Sequence, residues 1–175
     1  CDPLKFLSQG IHMYQDLIPF GWDASFQEAF IPYATGLYQP GRVIAEHRQF
    51  FVVQTLSGEQ LAVVSGNFRY QARSRDDYPA VGDWVVLQLN QSERLKIEAV
   101  LPRKSKISRK ASGEHTQEQI IGCNIDTLLI LSSLNQDFNL RRLERYLVLA
   151  KNSGALPVLV MNKMDLCPDP EMILS

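Results

Sequence analysis

Asn162-Lys163-Met164-Asp165 bring an amide, an ammonium and a carboxylate together in four consecutive positions. Guanine presents its N1–H and N2–H₂ donors on one edge, and a carboxylate such as Asp165 can accept both of them in a bidentate geometry. Adenine offers no matching donor pair, so the carboxylate would be left unpaired, which costs more than a neutral mismatch. Asn162 can donate to guanine O6 or N7, or tie neighbouring loops together, while Lys163 can lay its methylene stem over the base. The tetrapeptide therefore predicts a guanine-reading segment in which Met164 is the variable position.

The elements around the tetrapeptide favour this interpretation over a simple polar turn, which is the structural alternative. Residues 125–134 form a near-continuous apolar run, typical of a parallel strand buried on both faces. Asn139 and Gly154 bound a segment with a 3.6-residue apolar period, and residues 156–161 read as a second buried strand. Strand, helix and strand predict one right-handed βαβ crossover. Ligands bind beyond the carboxyl ends of strands in such sheets, which is where the tetrapeptide falls.

Hydrolysis of a nucleoside triphosphate also requires a phosphate-binding loop, GxxxxGK[ST]. The 175 residues contain no such segment, so we expect no GTP hydrolysis by this chain alone and no catalytic residue within it. One explanation is a circularly permuted domain whose phosphate loop follows residue 175, and another is a vestigial site. A third is an unpermuted GTPase of another type with a barrel insertion, whose loop would precede Cys1.

Residues 36–102 predict an all-β domain in which short alternating strands are separated by turn residues. So many short strands suit a small closed barrel, with the five-stranded OB fold as the leading candidate and an SH3-like barrel as the second. Residues 1–35 read as an N-terminal extension that packs on the barrel, with Asp23 capping a short helix that ends near Phe30. We expect Trp84 to anchor the barrel core. The predicted strands are 41–47, 49–55, 60–65, 82–89 and 95–101.

Residues 103–123 read as a basic linker without a clear period. From residue 94 to 112 the chain carries seven Lys or Arg against one acid, whereas the whole chain has a net charge of −1. Such a segment can neutralise RNA phosphates beside an OB barrel, although a solvated linker is the structural alternative. Phe68 and Tyr70 are candidates for base stacking, and three helix arginines, Arg141, Arg142 and Arg145, read as a solvated face. The candidate RNA contacts are Arg69, Arg73, Arg75, Arg103, Lys104, Lys106, Arg109 and Lys110.

Composition also limits the class of protein to which the chain can belong. The chain is 45% hydrophobic and 21% charged, and it has no apolar run of eighteen residues, so we expect no membrane span. Its start lacks the features of a signal peptide, and its three cysteines are far apart and odd in number. We therefore expect a reducing, cytoplasmic environment and no disulfide. The three histidines lack metal-ligand spacing, so we expect no metal site in this chain.

Together these segments resemble the bacterial ribosome small-subunit-dependent GTPases, a circularly permuted family that acts in maturation of the 30S subunit. The resemblance covers the chain from about residue 36 to its end. Gly122-Cys123 departs from it slightly, because the family more often has small alanine-like residues there. The matching segments are 41–44, 79–85, 101–105, 124–126, 143–147 and 162–166.

The resemblance implies an all-β OB-type barrel followed by a partial α/β, P-loop GTPase-like domain at residues 124–175. It implies that Asn162, Lys163 and Asp165 contact the guanine of GTP or GDP. It also implies that the barrel and its basic neighbours contact 16S rRNA of the small ribosomal subunit, with hydrolysis timed by ribosome binding. Mg²⁺, a structural Zn²⁺ and the phosphate loop are then expected only in the complete protein. We expect a monomer, although the unpaired edge of a truncated sheet could promote dimers. The alternative is a non-catalytic OB-fold RNA-binding module with a vestigial nucleotide fold.

Overall fold

A computed structural model describes residues 14–89, 93–110, 118–135 and 138–167. The chain divides into two compact units, residues 1–104 with 108–124 and residues 105–107 with 125–175. The first unit contains the barrel, and the second contains the strands around the tetrapeptide Asn162-Lys163-Met164-Asp165. In the described ranges, no helix is both long enough and apolar enough to cross a membrane.

The barrel closes from five strands in the order β1-β2-β3-β5-β4. Strands β3 and β5 pair in parallel, whereas the four other pairings are antiparallel. This closed five-stranded architecture confirms the OB-type barrel. The strands are β1 (Tyr38–Glu46), β2 (Phe51–Thr55), β3 (Gly58–Val64), β4 (Trp84–Gln88) and β5 (Leu95–Val100).

The N-terminal segment packs aromatic side chains against Trp84 and Val86, on the face of β4 opposite to Val85 and Leu87, which fill the barrel interior. Helix α1 (Ala24–Phe30) begins at Asp23, whose carboxylate accepts the backbone N–H groups of Ser25 and Phe26, as its sequence predicts. Trp22 meets the fully buried Trp84 edge to face, with 4.8 Å between ring centroids. Within residues 14–35 the predicted packing on the barrel is confirmed, but Trp84 anchors this outer cluster and not, as was expected, the barrel interior.

A short helix that the sequence reading missed connects β3 to β4. Helix α2 (Gly66–Gln71) begins after Ser65, whose hydroxyl accepts the backbone N–H of Phe68 at 3.0 Å. Phe68 is buried and packs edge to face against Tyr78. Its proposed role in base stacking is therefore wrong. Tyr70, on the same helix, is 91% exposed.

The basic linker also contains regular structure. Strand β6 (Lys106–Lys110) pairs with β7 (Glu118–Cys123) in a two-stranded sheet, so the expectation of an irregular connector was wrong. Ile107 is buried between charged and polar neighbours. One buried residue in a charged strand gives too little periodicity to reveal the pairing.

The second unit contains the predicted βαβ crossover. Strands β8 (Thr127–Ser133) and β9 (Leu156–Asn162) pair in parallel over seven residue pairs, and helix α3 (Leu140–Ser153) connects them. Asn139 caps the helix by accepting the backbone N–H of Arg142, and Gly154 ends it in the left-handed conformation.

Burial of both strands differs from the expectation, since every residue of β9 is exposed except the half-buried Met161. Ile130 and Leu134 are buried, whereas Leu129 and Leu131 are 64% and 67% exposed. Within the described part of this unit, the secondary structure comprises the two-stranded sheet, the single α-helix and a short 3₁₀ turn after β9, so only one face of the sheet is covered. The apolar run is consistent with a strand of a larger sheet.

Candidate functional site

The tetrapeptide Asn162-Lys163-Met164-Asp165 lies at the carboxyl rim of the parallel strands. Strand β9 ends at Asn162, and a 3₁₀ turn (Met164–Leu166) follows at once. The backbone N–H of Leu134 donates to the Asn162 carbonyl at 2.8 Å, so pairing between the two strands continues up to the rim. All four residues of the tetrapeptide are exposed to solvent. The amide, ammonium and carboxylate therefore occupy the edge where ligands of α/β sheets bind.

The loop holds its own shape through Asn162 and Lys163. Asn162 Oδ1 accepts the backbone N–H of Lys163 at 2.8 Å. Lys163 has a φ of 59°, in the left-handed region that a residue with a Cβ enters at a cost of about 1–2 kcal/mol. The Leu166 N–H then donates to the Lys163 carbonyl at 3.1 Å. Such strain is characteristic of ligand-binding loops, and it carries the chain directly from the strand end to Asp165.

The roles of the tetrapeptide side chains follow from these bonds. With its oxygen bonded to the loop, Asn162 can use its Nδ2 group as a hydrogen-bond donor toward a ligand at the rim. Asp165 lies in the first turn after the rim, where its carboxylate is accessible to an incoming base. This arrangement can recognise a purine edge.

Arg103 differs from its prediction as an RNA contact. Its Nε and Nη2 donate to the two carboxylate oxygens of Asp83 at 2.8 and 2.7 Å. Its guanidinium also donates to the carbonyls of Asp76 and Tyr78. The hydrogen bonds to Asp83 and its negative charge raise the pKa of Arg103, although burial opposes the shift. The side chain is only 17% exposed, so it serves the barrel unit internally.

The other basic residues that were predicted to contact RNA differ in the side chains that they contact and in their exposure. Lys104 pairs with Asp23 and lies 4.5 Å from the Phe26 ring centroid, so it is tied to the N-terminal helix. Arg75 pairs with Glu46 on an exposed surface. Arg69 and Arg73 are exposed and Lys106 is half-buried, whereas the side chains of Arg109 and Lys110 lie outside the described part of the structure. The three arginines of α3, Arg141, Arg142 and Arg145, are exposed as expected.

Sequence reading missed a group of residues around the β1–β2 loop. His47 and Phe50 stack with their ring centroids 4.5 Å apart, and Arg94 lies over Phe50 at 5.7 Å. Each residue alone resembles an ordinary loop residue. Only the barrel closure brings the β1–β2 and β4–β5 loops together, so no local spacing in the sequence could have found them.

Metal binding has no support among the described residues, where no group of three or more His, Cys, Asp or Glu residues is close enough to hold an ion.

Comparison with known proteins decides the family. The family model described as RsgA GTPase matches residues 100–174, which contain the βαβ unit and the tetrapeptide. The small ribosomal subunit biogenesis GTPase RsgA 2 of Lactiplantibacillus plantarum is 50% identical over 129 residues. RsgA of Opitutus terrae is 40% identical over 162 residues, or 87% of this chain. The chain belongs to the RsgA GTPase family.

The chain spans less than half the length of these RsgA relatives, 36% of the first and 44% of the second. Solved structures show the same fold. YjeQ from Thermotoga maritima superposes with a TM-score of 0.60 at 24% identity, over 79% of this chain and 46% of its own. YloQ, described as a circularly permuted GTPase, superposes with a TM-score of 0.56 over 78% of this chain and 44% of its own.

Proposed function

We propose that this chain is the N-terminal portion of a circularly permuted GTPase that binds the small ribosomal subunit and assists its late assembly in the cytoplasm. The observation that supports it most is the position of Asn162-Lys163-Met164-Asp165 at the carboxyl rim of β8 and β9. A rim loop with a carboxylate and an amide donor is what guanine recognition requires. In this proposal Asn162, Lys163 and Asp165 contact the base of GTP or GDP.

In this proposal the phosphate-binding loop belongs to another part of the complete protein, so the chain by itself does not hydrolyse GTP and binds guanine weakly at most. Mg²⁺ would accompany the phosphates, and a structural Zn²⁺ would be held elsewhere in that protein. The contribution of the present residues is selection and orientation of the base. The monomer is the proposed working state.

The barrel unit supplies the ribosome contact in this proposal. OB folds bind nucleic acid on a face flanked by their loops, and 16S rRNA is the proposed ligand. Arg69, Arg73 and Arg75 remain candidates because they are exposed on the segment between β3 and β4. Lys104, Lys106, Arg109 and Lys110 remain candidates as well, whereas Arg103 is withdrawn because its donors are used internally.

The test replaces Asp165 by Asn in the complete protein and compares hydrolysis of GTP and XTP. Xanthine presents a carbonyl where guanine presents its amino group, so the amide should pair with xanthine. We expect preference to move from GTP toward XTP, with a loss for GTP of about ten- to one-hundred-fold, as befits a charge-assisted hydrogen bond.

Asp126→Asn is the matched control, because Asp126 is also exposed but precedes β8 at the opposite end of the strand. It should leave the preference unchanged. If Asp165→Asn keeps the wild-type preference, Asp165 is not the reader. Salt-dependent RNA binding with no guanosine effect in the complete protein would instead support a non-catalytic OB-fold module.

A further inference from the structure

The barrel unit carries an open groove of about 780 Å³ between the β1–β2 loop and the segment that connects β3 to β4. It lies outside the guanine-reading rim. Its lining combines cationic and aromatic side chains, among them His47, Arg48, Phe50, Arg69, Arg75 and Tyr78.

A pair of stacked rings and cation–π contacts flank the groove. His47 lies 4.5 Å from Phe50 at an interplanar angle of 26°, and the hairpin bond from the His47 N–H to the Phe50 carbonyl fixes their relative position. Arg94 covers Phe50 from the β4–β5 loop, and Arg75 covers Tyr78 at 5.7 Å. His47 is exposed whereas Phe50 is half-buried, so an incoming flat group would meet the imidazole with the phenyl ring as its support.

The charges of the groove favour an anion. Arg48 and Arg69 are exposed in the groove, and Arg75 shares its surface with the single acid Glu46. The Arg75–Glu46 pair has side chains 62% and 32% exposed, and such pairs contribute little. A phosphate can therefore compete for Arg75 at small cost, because its charge replaces that of the carboxylate.

We propose that this groove holds an unpaired RNA nucleotide, with the base stacked on His47 and the flanking phosphates bound by Arg48 and Arg69. The inference rests on the RNA contact proposed above and adds the form of RNA. Duplex bases are already stacked on their neighbours, so an A-form helix offers shape and phosphates but no free ring face. An exposed aromatic ring adds binding free energy only when a base is unstacked from its neighbours and can lie against that ring. An acidic peptide would use the arginines and leave the rings unused.

The experiment measures binding of the 175-residue chain to a fluorescein-labelled ten-nucleotide single-stranded RNA by anisotropy. The same strand annealed to its complement and a labelled polyglutamate are the competing probes. We expect the single strand to bind more tightly than the other two. His47→Ala should weaken single-strand binding roughly five- to one-hundred-fold, the range of one base–aromatic stack. Arg69→Gln should instead lower the slope of log affinity against log salt by about one.

Tyr146→Ala is the matched control, because Tyr146 is an exposed aromatic residue on α3 that does not line the groove. It should bind single-stranded RNA like the wild type. Phe50→Leu keeps an apolar side chain under His47 while removing the ring, and should weaken the single strand in the same direction as His47→Ala.

Equal binding of single strand and duplex, with no effect of His47→Ala or Phe50→Leu, would overturn the unpaired-nucleotide inference while leaving RNA contact by the barrel intact. Binding of polyglutamate as tight as RNA would assign the groove to an acidic protein partner. Failure of both RNA forms to bind would remove the RNA contact itself. GTP or XTP preference at Asp165 is unaffected by any of these results, so the two proposals fail separately.

Discussion

The ion pair between Arg103 and Asp83 gives the sharpest stability prediction. Asp83 is fully buried, and its carboxylate accepts both the bidentate Arg103 guanidinium and the backbone N–H of Ala80. Arg103→Met removes the guanidinium but keeps an unbranched apolar stem. Asp83 then stays a buried carboxylate that has lost both guanidinium hydrogen bonds and keeps the one from the Ala80 N–H.

Breaking a buried pair by removing one partner costs about 3–5 kcal/mol, because the surviving charge stays desolvated. The carbonyls of Asp76 and Tyr78 also lose a donor. A cost of this size is a large share of the stability of a small domain, about 5–15 kcal/mol. Asp83→Asn in the Arg103→Met background should recover part of the loss, because a neutral amide is cheaper to bury than a carboxylate.

Urea unfolding followed by tryptophan fluorescence suits this test. The chain has two tryptophans, and Trp22 and Trp84 pack against each other in the barrel unit, so the signal reports that unit. Arg75→Met is the matched control, because it breaks an exposed ion pair and should cost at most about 1 kcal/mol. The reasoning is refuted if Arg103→Met loses no more stability than Arg75→Met.

Two further predictions concern the same unit. Gly82→Ala should prevent the native packing, because Gly82 has a φ of 92° and an added Cβ would lie 2.0 Å from the Cys123 carbonyl oxygen. Gly58→Ala, at a similar φ but in open space, should cost only about 1–2 kcal/mol in the same urea assay, and equal costs would contradict the close contact. Burial tends to raise the pKa of Asp23, but hydrogen bonds from Lys104, Ser25 and Phe26 outweigh it and lower the pKa. The stabilisation that ionised Asp23 contributes is therefore fully present above about pH 4 and is lost as the pH falls through the lowered pKa of Asp23. The difference in the free energy of unfolding between wild type and Asp23→Asn should therefore shrink on acidification. A constant difference across that range would exclude a contribution from the Asp23 charge.

Local patterns in the sequence were sufficient to predict several elements. The cap at Asp23, the stop at Gly154 and the apolar runs of β8 and β9 depend on neighbours a few residues away. The same is true of the rim loop, because a polar tetrapeptide directly after a strand of a parallel pair lies at the carboxyl rim of the sheet.

Other features depend on contacts between distant segments. Arg103 was assigned to RNA because its neighbours are basic, yet Asp83 lies twenty positions away and becomes its partner only when the barrel closes. Helix α2 is too short to show a period, and Phe68 is buried by Tyr78 from the following segment. His47, Phe50 and Arg94 are likewise brought together by two loops that the sequence separates widely.

The central claim is that a rim carboxylate reads guanine through its two donors. It is tested most directly by competing GDP, IDP and ADP for the complete protein at equilibrium. Inosine keeps N1–H but lacks the amino group, so the account predicts that GDP binds most tightly, IDP more weakly by about ten-fold or more, and ADP most weakly. ADP competing as well as GDP would contradict the claim.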